Sequence, residues 1–273
     1  MKLLTDDQPV PPGIQVGRFG PGLDYRVRYE DDDSMLSLFF LQYREPCLAP
    51  ILEASLAPGA CFFDVGANIG IYSAWGSRLV GESGQVHAFE PIPPTRQFLR
   101  DLLAHNELEN VRVEPVAIGN DSGLLRMYLP ERASGLASAV HEDGEPFDVQ
   151  ATTLDRYLAK SGCAMPALIK IDTEGFEFPT LQGSDALLSD RNGPLVVFET
   201  DHHPSGVQAF VQSEALLRKK GYELFGLRAS GLRRVTDAAR GPLSMNMLAA
   251  HPDRHGDVIE KFRNVRFRRN QNV

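Results

Sequence analysis

Cys61-Phe62-Phe63-Asp64-Val65-Gly66-Ala67-Asn68-Ile69-Gly70 is the stretch on which the reading of this chain turns. Pro58-Gly59 signals a turn, and the apolar run Ala60 to Val65 after it predicts a short buried strand. From Ile69 to Leu79 apolar and small residues recur at helical spacing, which predicts a helix. Between the two stand Gly66 and Gly70, which lack a Cβ and so let a ligand approach the backbone closely. The free N–H groups of the helix N-terminus lie behind them. Gln85 to Phe89 predicts the next strand, closed by Glu90. Glu90 lies about 20 residues past Gly70, the spacing at which a carboxylate meets ribose hydroxyls.

Working outward, the loop chemistry separates two cofactors. A dinucleotide cradle needs G-x-G-x-x-G, whose third glycine packs helix against strand. This loop reads Gly66-Ala67-Asn68-Ile69-Gly70 and has Asp64 ahead of its first glycine. An acid at the end of the first strand suits a cationic amino-acid group better than a pyrophosphate. S-adenosylmethionine carries such an ammonium, and a ribose for Glu90. The plain alternative is a glycine-rich strand–helix turn with no ligand.

Three segments in order, Asp64-Val65-Gly66-Ala67-Asn68-Ile69-Gly70, His87-Ala88-Phe89-Glu90-Pro91 and Ile169-Lys170-Ile171-Asp172-Thr173-Glu174-Gly175-Phe176-Glu177, resemble the successive motifs of the FkbM family. The resemblance runs from roughly Tyr43 to about Leu227. It implies an S-adenosylmethionine-dependent O-methyltransferase of the class I methyltransferase fold. That fold is a Rossmann-like α/β three-layer sandwich with a seven-stranded, mostly parallel sheet whose last strand is antiparallel. The resemblance also places the adenine ring near Ala117, through that residue's backbone. It implies acceptors among hydroxyls of small molecules or saccharides. It makes Tyr43-Arg44-Glu45-Pro46 a candidate cofactor lid, which as plain structure is a corner between helices.

The rest of the chain is read in order. Residues 1–22 are rich in Pro and Gly and predict irregular backbone or, at most, edge strands. Tyr25, Val27 and Tyr29 alternate with charged residues as in a half-exposed strand. Asp31-Asp32-Asp33 reads as a solvated turn, with helices over Met35 to Gln42 and Pro46 to Ser55. Beyond Glu90 the pattern predicts a helix around Phe98 to Leu103 and a third strand, Val111 to Val116, closing at Ala117. Leu124 to Leu129 and Phe147 to Ala151 predict strands outside the parallel set, flanking a polar segment from Glu131 to Glu145. Thr153 caps a short helix with Asp155 in its first turn. Ala167 to Asp172 and Leu195 to Glu199 predict the fourth and fifth strands, with a helix running to Leu188 between them. Val207 to Lys219 predicts a helix, and Tyr222 to Leu227 and Met245 to Ala249 the last strands. The division expected is an extension of residues 1–58, with strand and helices, before a catalytic domain of residues 59–273.

Ligands of open parallel sheets sit beyond the carboxyl ends of the strands. That rule collects Asp64, Glu90, Ala117, Asp172 and Glu199 on one rim. Cofactor binding is expected from Asp64, Gly66, Ala67, Asn68, Gly70, Glu90 and Ala117. The catalytic candidates are Asp172, Glu174 and His202. Carboxylates crowded on one rim raise the pKa of at least one of them, which suits a general base. As plain structure, Asp172 caps a helix whose first turn favours Glu174 and Glu177. His202, with His203 behind it, is a base of near-neutral pKa or a surface loop residue. Asp172 with Asp201 permits a divalent cation, but no ligand motif compels one, and no metal is assigned. The rival functions are a nicotinamide-dependent oxidoreductase, against which the missing third glycine speaks, and a non-catalytic cofactor-binding module.

Composition bounds the partners. A net charge of −8 leaves no excess of Lys and Arg to neutralise phosphates, which argues against a general nucleic-acid binder. The basic run Arg263, Arg266, Arg268 and Arg269 reads as a solvated tail. The three cysteines, Cys47, Cys61 and Cys163, are scattered and read as reduced thiols of a cytoplasmic protein. No leader segment is apparent, and no apolar run approaches the ~20 residues that span a bilayer.

Overall fold

The computed structural model describes residues 13–19, 22–29, 47–129, 145–200, 204–228 and 230–263. The chain begins with an antiparallel hairpin, Gly13–Phe19 (β1) and Leu23–Tyr29 (β2), followed by helix Leu48–Ser55 (α1). The predicted cradle follows as strand Cys61–Val65 (β3), helix Ile71–Val80 (α2) and strand Gln85–Phe89 (β4). Helix Pro93–His105 (α3) opens with two prolines, where a missing N–H costs nothing. Strand Val111–Glu114 (β5) stops before Pro115, which cannot donate to a ladder.

Ala117–Ile118 (β6), Gly123–Leu129 (β7) and Glu145–Thr152 (β8) form a separate three-stranded sheet in the order β6-β8-β7. This corrects the placement of Ala117 at the tip of the third parallel strand. That strand ends at Glu114, and Ala117 pairs with Ala151 instead, packed among Ile92, Met127 and Val149.

Then come helix Leu154–Ser161 (α4), strand Leu168–Ile171 (β9), helices Glu177–Gln182 (α5) and Asp185–Ser189 (α6), and strand Leu195–Glu199 (β10). Helix Pro204–Lys219 (α7), strands Glu223–Arg228 (β11), Gly231–Arg234 (β12) and Asn246–Ala250 (β13), and helix Pro252–Arg263 (α8) complete the described elements. The single helix expected to reach Leu188 is two helices, α5 and α6. The chain bends at Gly183, where a Cβ would lie 2.0 Å from the Gly119 carbonyl oxygen. Thr153 caps α4 as expected, its hydroxyl accepting from Arg156 N at 3.1 Å. Asp155 does more than favour its own helix: its carboxylate accepts from Ala186 N and Leu187 N and so anchors α6.

The main sheet has the order β12-β11-β13-β10-β9-β3-β4-β5. The five strands from β10 to β5 are parallel, and β13 runs antiparallel between β10 and β11. The seven expected strands are present, with β12 added on the edge as an eighth. Its sequence, Gly-Leu-Arg-Arg, lacks an apolar run, so periodicity does not reveal it.

Strand alternation builds the layers. Phe63, Val65, Ile169, Ile171, Val196 and Phe198 face one side, against residues of α6 and α7. Phe62, Leu168, Leu195 and Val197 face the other, against α1 and α8. The hairpin docks on α3: Phe19, Leu23 and Tyr25 pack with Leu99, Leu102 and Leu103. Asn106 fixes it there, accepting from Asp24 N and donating to the Asp24 carbonyl.

The helix expected over Met35 to Gln42, the Asp31-Asp32-Asp33 turn and the Tyr43-Arg44-Glu45-Pro46 segment lie outside the described residues. So do residues 131–144, Asp201, His202, His203 and the end of the chain from residue 264. Among the described residues no helix is long and apolar enough to cross a membrane.

Candidate active site

The strand order locates the site. The chain steps from β3 outward to β4 and β5, then returns past β3 to β9 and β10. The switch lies between β3 and β9, and a crevice forms beyond the carboxyl ends of the strands at such a point. The segments leaving these two strands, 66–70 and 172–176, therefore bound the candidate site.

The first segment is held by its neighbours. Gly66 N and Ala67 N both donate to the Phe89 carbonyl, at 3.1 and 3.0 Å, and Asp172 N donates to the Val65 carbonyl at 3.0 Å. Gly66, Asn68 and Gly70 occupy the left-handed region, with φ of 74°, 50° and 92°. The close approaches made by the two glycines are to protein. A Cβ on Gly66 would lie 1.8 Å from the Asp172 carbonyl oxygen, and one on Gly70 2.1 Å from Leu99 Cδ1. The glycines thus shape the cradle by seating it on the end of β9 and on α3. Gly66→Ala is expected to cost about 1–3 kcal/mol from its backbone conformation and more from the clash. Gly81→Ala is the control, since φ is 63° there and nothing lies within 4 Å. Urea midpoints measure both, and equal losses would discard the contact as the cause.

Glu90 closes β4 and is 5% exposed. Its Oε2 accepts from Asn68 N at 2.9 Å and its Oε1 from Ile92 N at 2.8 Å. Burial pushes its carboxyl up to about 7, against the pull of those two N–H groups. A carboxylate oxygen accepts two hydrogen bonds, so each keeps a second acceptor site.

Asp64 does not face the crevice. It shares a strand face with Phe62 and is fully buried, its Oδ2 accepting from Ser73 Oγ of α2 at 2.6 Å. Its cation is internal: Lys170 Nζ lies 3.8 Å from Oδ1. The direct grip on a ligand ammonium expected of Asp64 gives way to a supporting position beneath the loop. Alternation along β3 is the reason, since position 64 points toward the helix layer.

Lys170 also lies 2.8 Å from Asp172 Oδ2. Asp172, Glu174 and Glu199 each bring a carboxylate oxygen within 4.8 Å of the others. Burial acts to raise Asp172, but the Lys170 charge and hydrogen bonds from Glu199 and Lys170 outweigh it and hold the group low. Glu199 is pushed up to about 10 by burial and by the Asp172 charge, so it keeps its proton and donates to Asp172. Glu174, at φ 52°, is pushed up to about 7 by burial and by the charges of Asp172 and Glu177. Of the expected catalytic pair, Glu174 carries the raised pKa and Asp172 the lowered one. Lys170 already supplies this group with a cation at 2.8 Å from Asp172, and no step is drawn through a metal.

Three residues gain importance that sequence reasoning left aside. Glu177 Oε1 accepts from Thr173 N, Thr173 Oγ1 and Gly175 N, which ties segment 172–176 together. Glu199 was placed on the rim without a role. Lys170 had a legible signal, because a lone charge inside an apolar strand demands a buried partner.

A family model for the methyltransferase FkbM domain matches residues 64–224. The 31-O-demethyl-FK506 methyltransferase FkbM of Streptomyces tacrolimicus is 27% identical over 200 residues, covering 61% of this chain and 74% of that protein. Among solved structures, a SAM-dependent O-methyltransferase of Thermotoga maritima matches at 12% identity and TM-score 0.45, covering 84% of this chain and 73% of that one. A methyltransferase of Streptococcus mutans, solved in complex with SAH, matches at 10% identity and TM-score 0.44, covering 76% and 98% respectively.

Proposed function

Since this chain belongs to the FkbM methyltransferase family, we propose that it moves the methyl group of S-adenosylmethionine onto a hydroxyl oxygen of a small molecule or saccharide. The observation that carries this reading is the placement of Glu174 at the strand-order switch, with its carboxyl raised to about 7 beside the charged Asp172–Lys170 pair. The oxygen acceptor draws further support from the named activity of the Streptomyces relative.

S-adenosylmethionine supplies an already activated methyl group, so the protein's task is to orient the acceptor and remove one proton. In this reading Glu90 receives the two ribose hydroxyls on its remaining acceptor sites, while it keeps Asn68 N and Ile92 N. Ala117 and Ile92 offer an apolar wall for the adenine. Gly66, Asn68 and Gly70 carry the left-handed course of the loop, Ala67 N ties it to the Phe89 carbonyl, and Asn68 presents the N–H that orients Glu90. Asp64 acts from below, bracing Ser73 and sharing Lys170. Glu174 takes the acceptor's proton, and the nearby Asp172 charge helps to keep the Glu174 carboxyl near 7. His202, outside the described residues, is the second candidate for the base. Residues 1–58 are assigned as an extension and 59–273 as the catalytic domain, with β1 and β2 docked on α3.

The test has two parts. Glu90→Gln should weaken S-adenosylmethionine binding about 10–100-fold by calorimetry, the worth of a hydrogen-bonded charged group. The amide keeps only one of the two oxygens that accept from Asn68 N and Ile92 N, so near-ultraviolet dichroism checks that the variant is folded before binding is measured. The native carboxyl, raised from 4.5 to about 7, binds its proton more tightly than the unfolded chain does. Its contribution to wild-type stability therefore falls as pH rises through that window. Turnover with methyl-labelled donor and hydroxylated acceptors should give an alkali-stable ether. Label in an ester or an amine, or tighter affinity for a nicotinamide dinucleotide than for the sulfonium, would overturn the reading.

A further inference from the structure

At the other end of the sheet, away from the carboxyl rim, stands a second cluster of chemistry-bearing side chains. Cys61 begins β3, His87 lies in β4, and Cys163 follows α4. One donor atom from each lies within 4.8 Å of the other two. Cys61 and His87 are 4% and 2% exposed, and Cys163 is partly exposed.

The hydrogen bonds around His87 decide its tautomer. Glu114 Oε1 accepts from Tyr157 Oη at 2.8 Å, and Arg112 Nε lies 2.5 Å from the same oxygen. With its proton given to Glu114, the Tyr157 oxygen accepts from His87 Nδ1 at 2.6 Å. Nε2 is then the nitrogen with the lone pair. It is buried and interacts with the Cys163 sulfur, so it faces the pair of cysteines. A ligand histidine held through its other nitrogen by an oxygen chain is the arrangement that fixes metal-binding imidazoles. Phe63 and Tyr157 pack edge-on against it, with ring centroids 5.2 and 5.5 Å from that of His87.

We propose that Cys61 Sγ, His87 Nε2 and Cys163 Sγ form a three-ligand site for a zinc-type divalent ion, its fourth position open to solvent. Two thiolates and one imidazole are the donor set that favours zinc over magnesium or calcium. Two thiolates also balance the ion's charge, which a partly buried site requires. Access is provided by a cavity of about 1030 Å³ lined by His87, Cys163, Ser161 and Arg112. The site lies at the amino ends of the strands, so it stands independently of the methyl-transfer reading.

The experiment uses the full chain, reduced and stripped of metal under argon. Zinc is titrated in competition with a chromophoric chelator, and cobalt(II) serves as spectroscopic stand-in. The expected result is one equivalent bound, with cobalt giving tetrahedral visible bands and thiolate charge-transfer absorption. Cys163→Ser, at a partly exposed position, and His87→Gln should each lose at least tenfold in affinity and alter those bands. Tyr157→Phe, a positioning change, should weaken binding by about 10–100-fold and keep the charge-transfer band. Near-ultraviolet dichroism checks that each variant is folded. A folded wild type with no stoichiometric uptake, uptake unchanged in Cys163→Ser, or a chain that forms a Cys61–Cys163 disulfide in air but takes no metal when reduced would each overturn the proposal.

Discussion

Lys170→Met is expected to destabilise the protein by about 3–5 kcal/mol, the cost of removing one partner from a buried ion pair. Lys170 is 4% exposed and serves two carboxylates at once, Asp172 at 2.8 Å and Asp64 at 3.8 Å, while its ammonium sits 5.2 Å from the Tyr72 ring centre. Methionine fills much of the same volume, so the loss reports charge rather than a cavity. Asp64 bears the larger penalty because no solvent reaches it. Burial already raises its pKa, and Lys170 is the chief opposing influence. Without that cation Asp64 binds its proton more tightly still in the folded state. The variant therefore regains stability as pH falls, and its deficit narrows between pH 8 and pH 5.5. Urea denaturation at the two pH values measures this. Adding Asp64→Asn to Lys170→Met should recover a large part of the loss. A deficit below about 1 kcal/mol, the worth of an exposed pair, or one that does not narrow in acid, would remove Lys170 from the centre of the site.

Glu174→Gln is expected to lower methyl transfer by about 10²–10⁴-fold, the range for loss of a general base, with donor affinity nearly unchanged. The glutamine keeps the shape of the side chain and deletes proton uptake. A base works ionised, so the wild-type rate should rise with pH through about 7 and level off above it. The variant should lose that limb. Because Asp172, Glu174 and Glu199 interact, the limb is a property of the group rather than of one side chain. His202→Gln separates the two candidates. If it abolishes the limb while Glu174→Gln turns over within tenfold of wild type, the base is His202 and the assignment to Glu174 is wrong.

The parallel core was legible because its signals are local. Cys61 to Val65 and Gln85 to Phe89 are short, mostly apolar runs with turn residues nearby, and Leu195 to Glu199 matches its predicted bounds. Pro115 is the local signal that ends the third strand at Glu114, and beyond it Ala117 joins the second sheet. The candidate acids were also legible as strand-ending residues, yet their directions were not. Asp64 and Glu90 look equivalent in sequence; one points into the helix layer and the other into the loop of its neighbour. The scattered cysteines showed no pairing signal, since Cys61 and Cys163 are brought together only when β3 and the end of α4 meet.

By itself, then, the sequence determined the strand–loop–helix cradle, the parallel order that follows from it, and the set of acids that end strands. Tertiary structure decided which of them carry a proton, which face solvent, and which distant side chains join them. The physical reason is one of range. Hydrophobic period and turn chemistry act over a few residues, whereas burial and charge depend on strands that lie side by side in space and far apart along the chain.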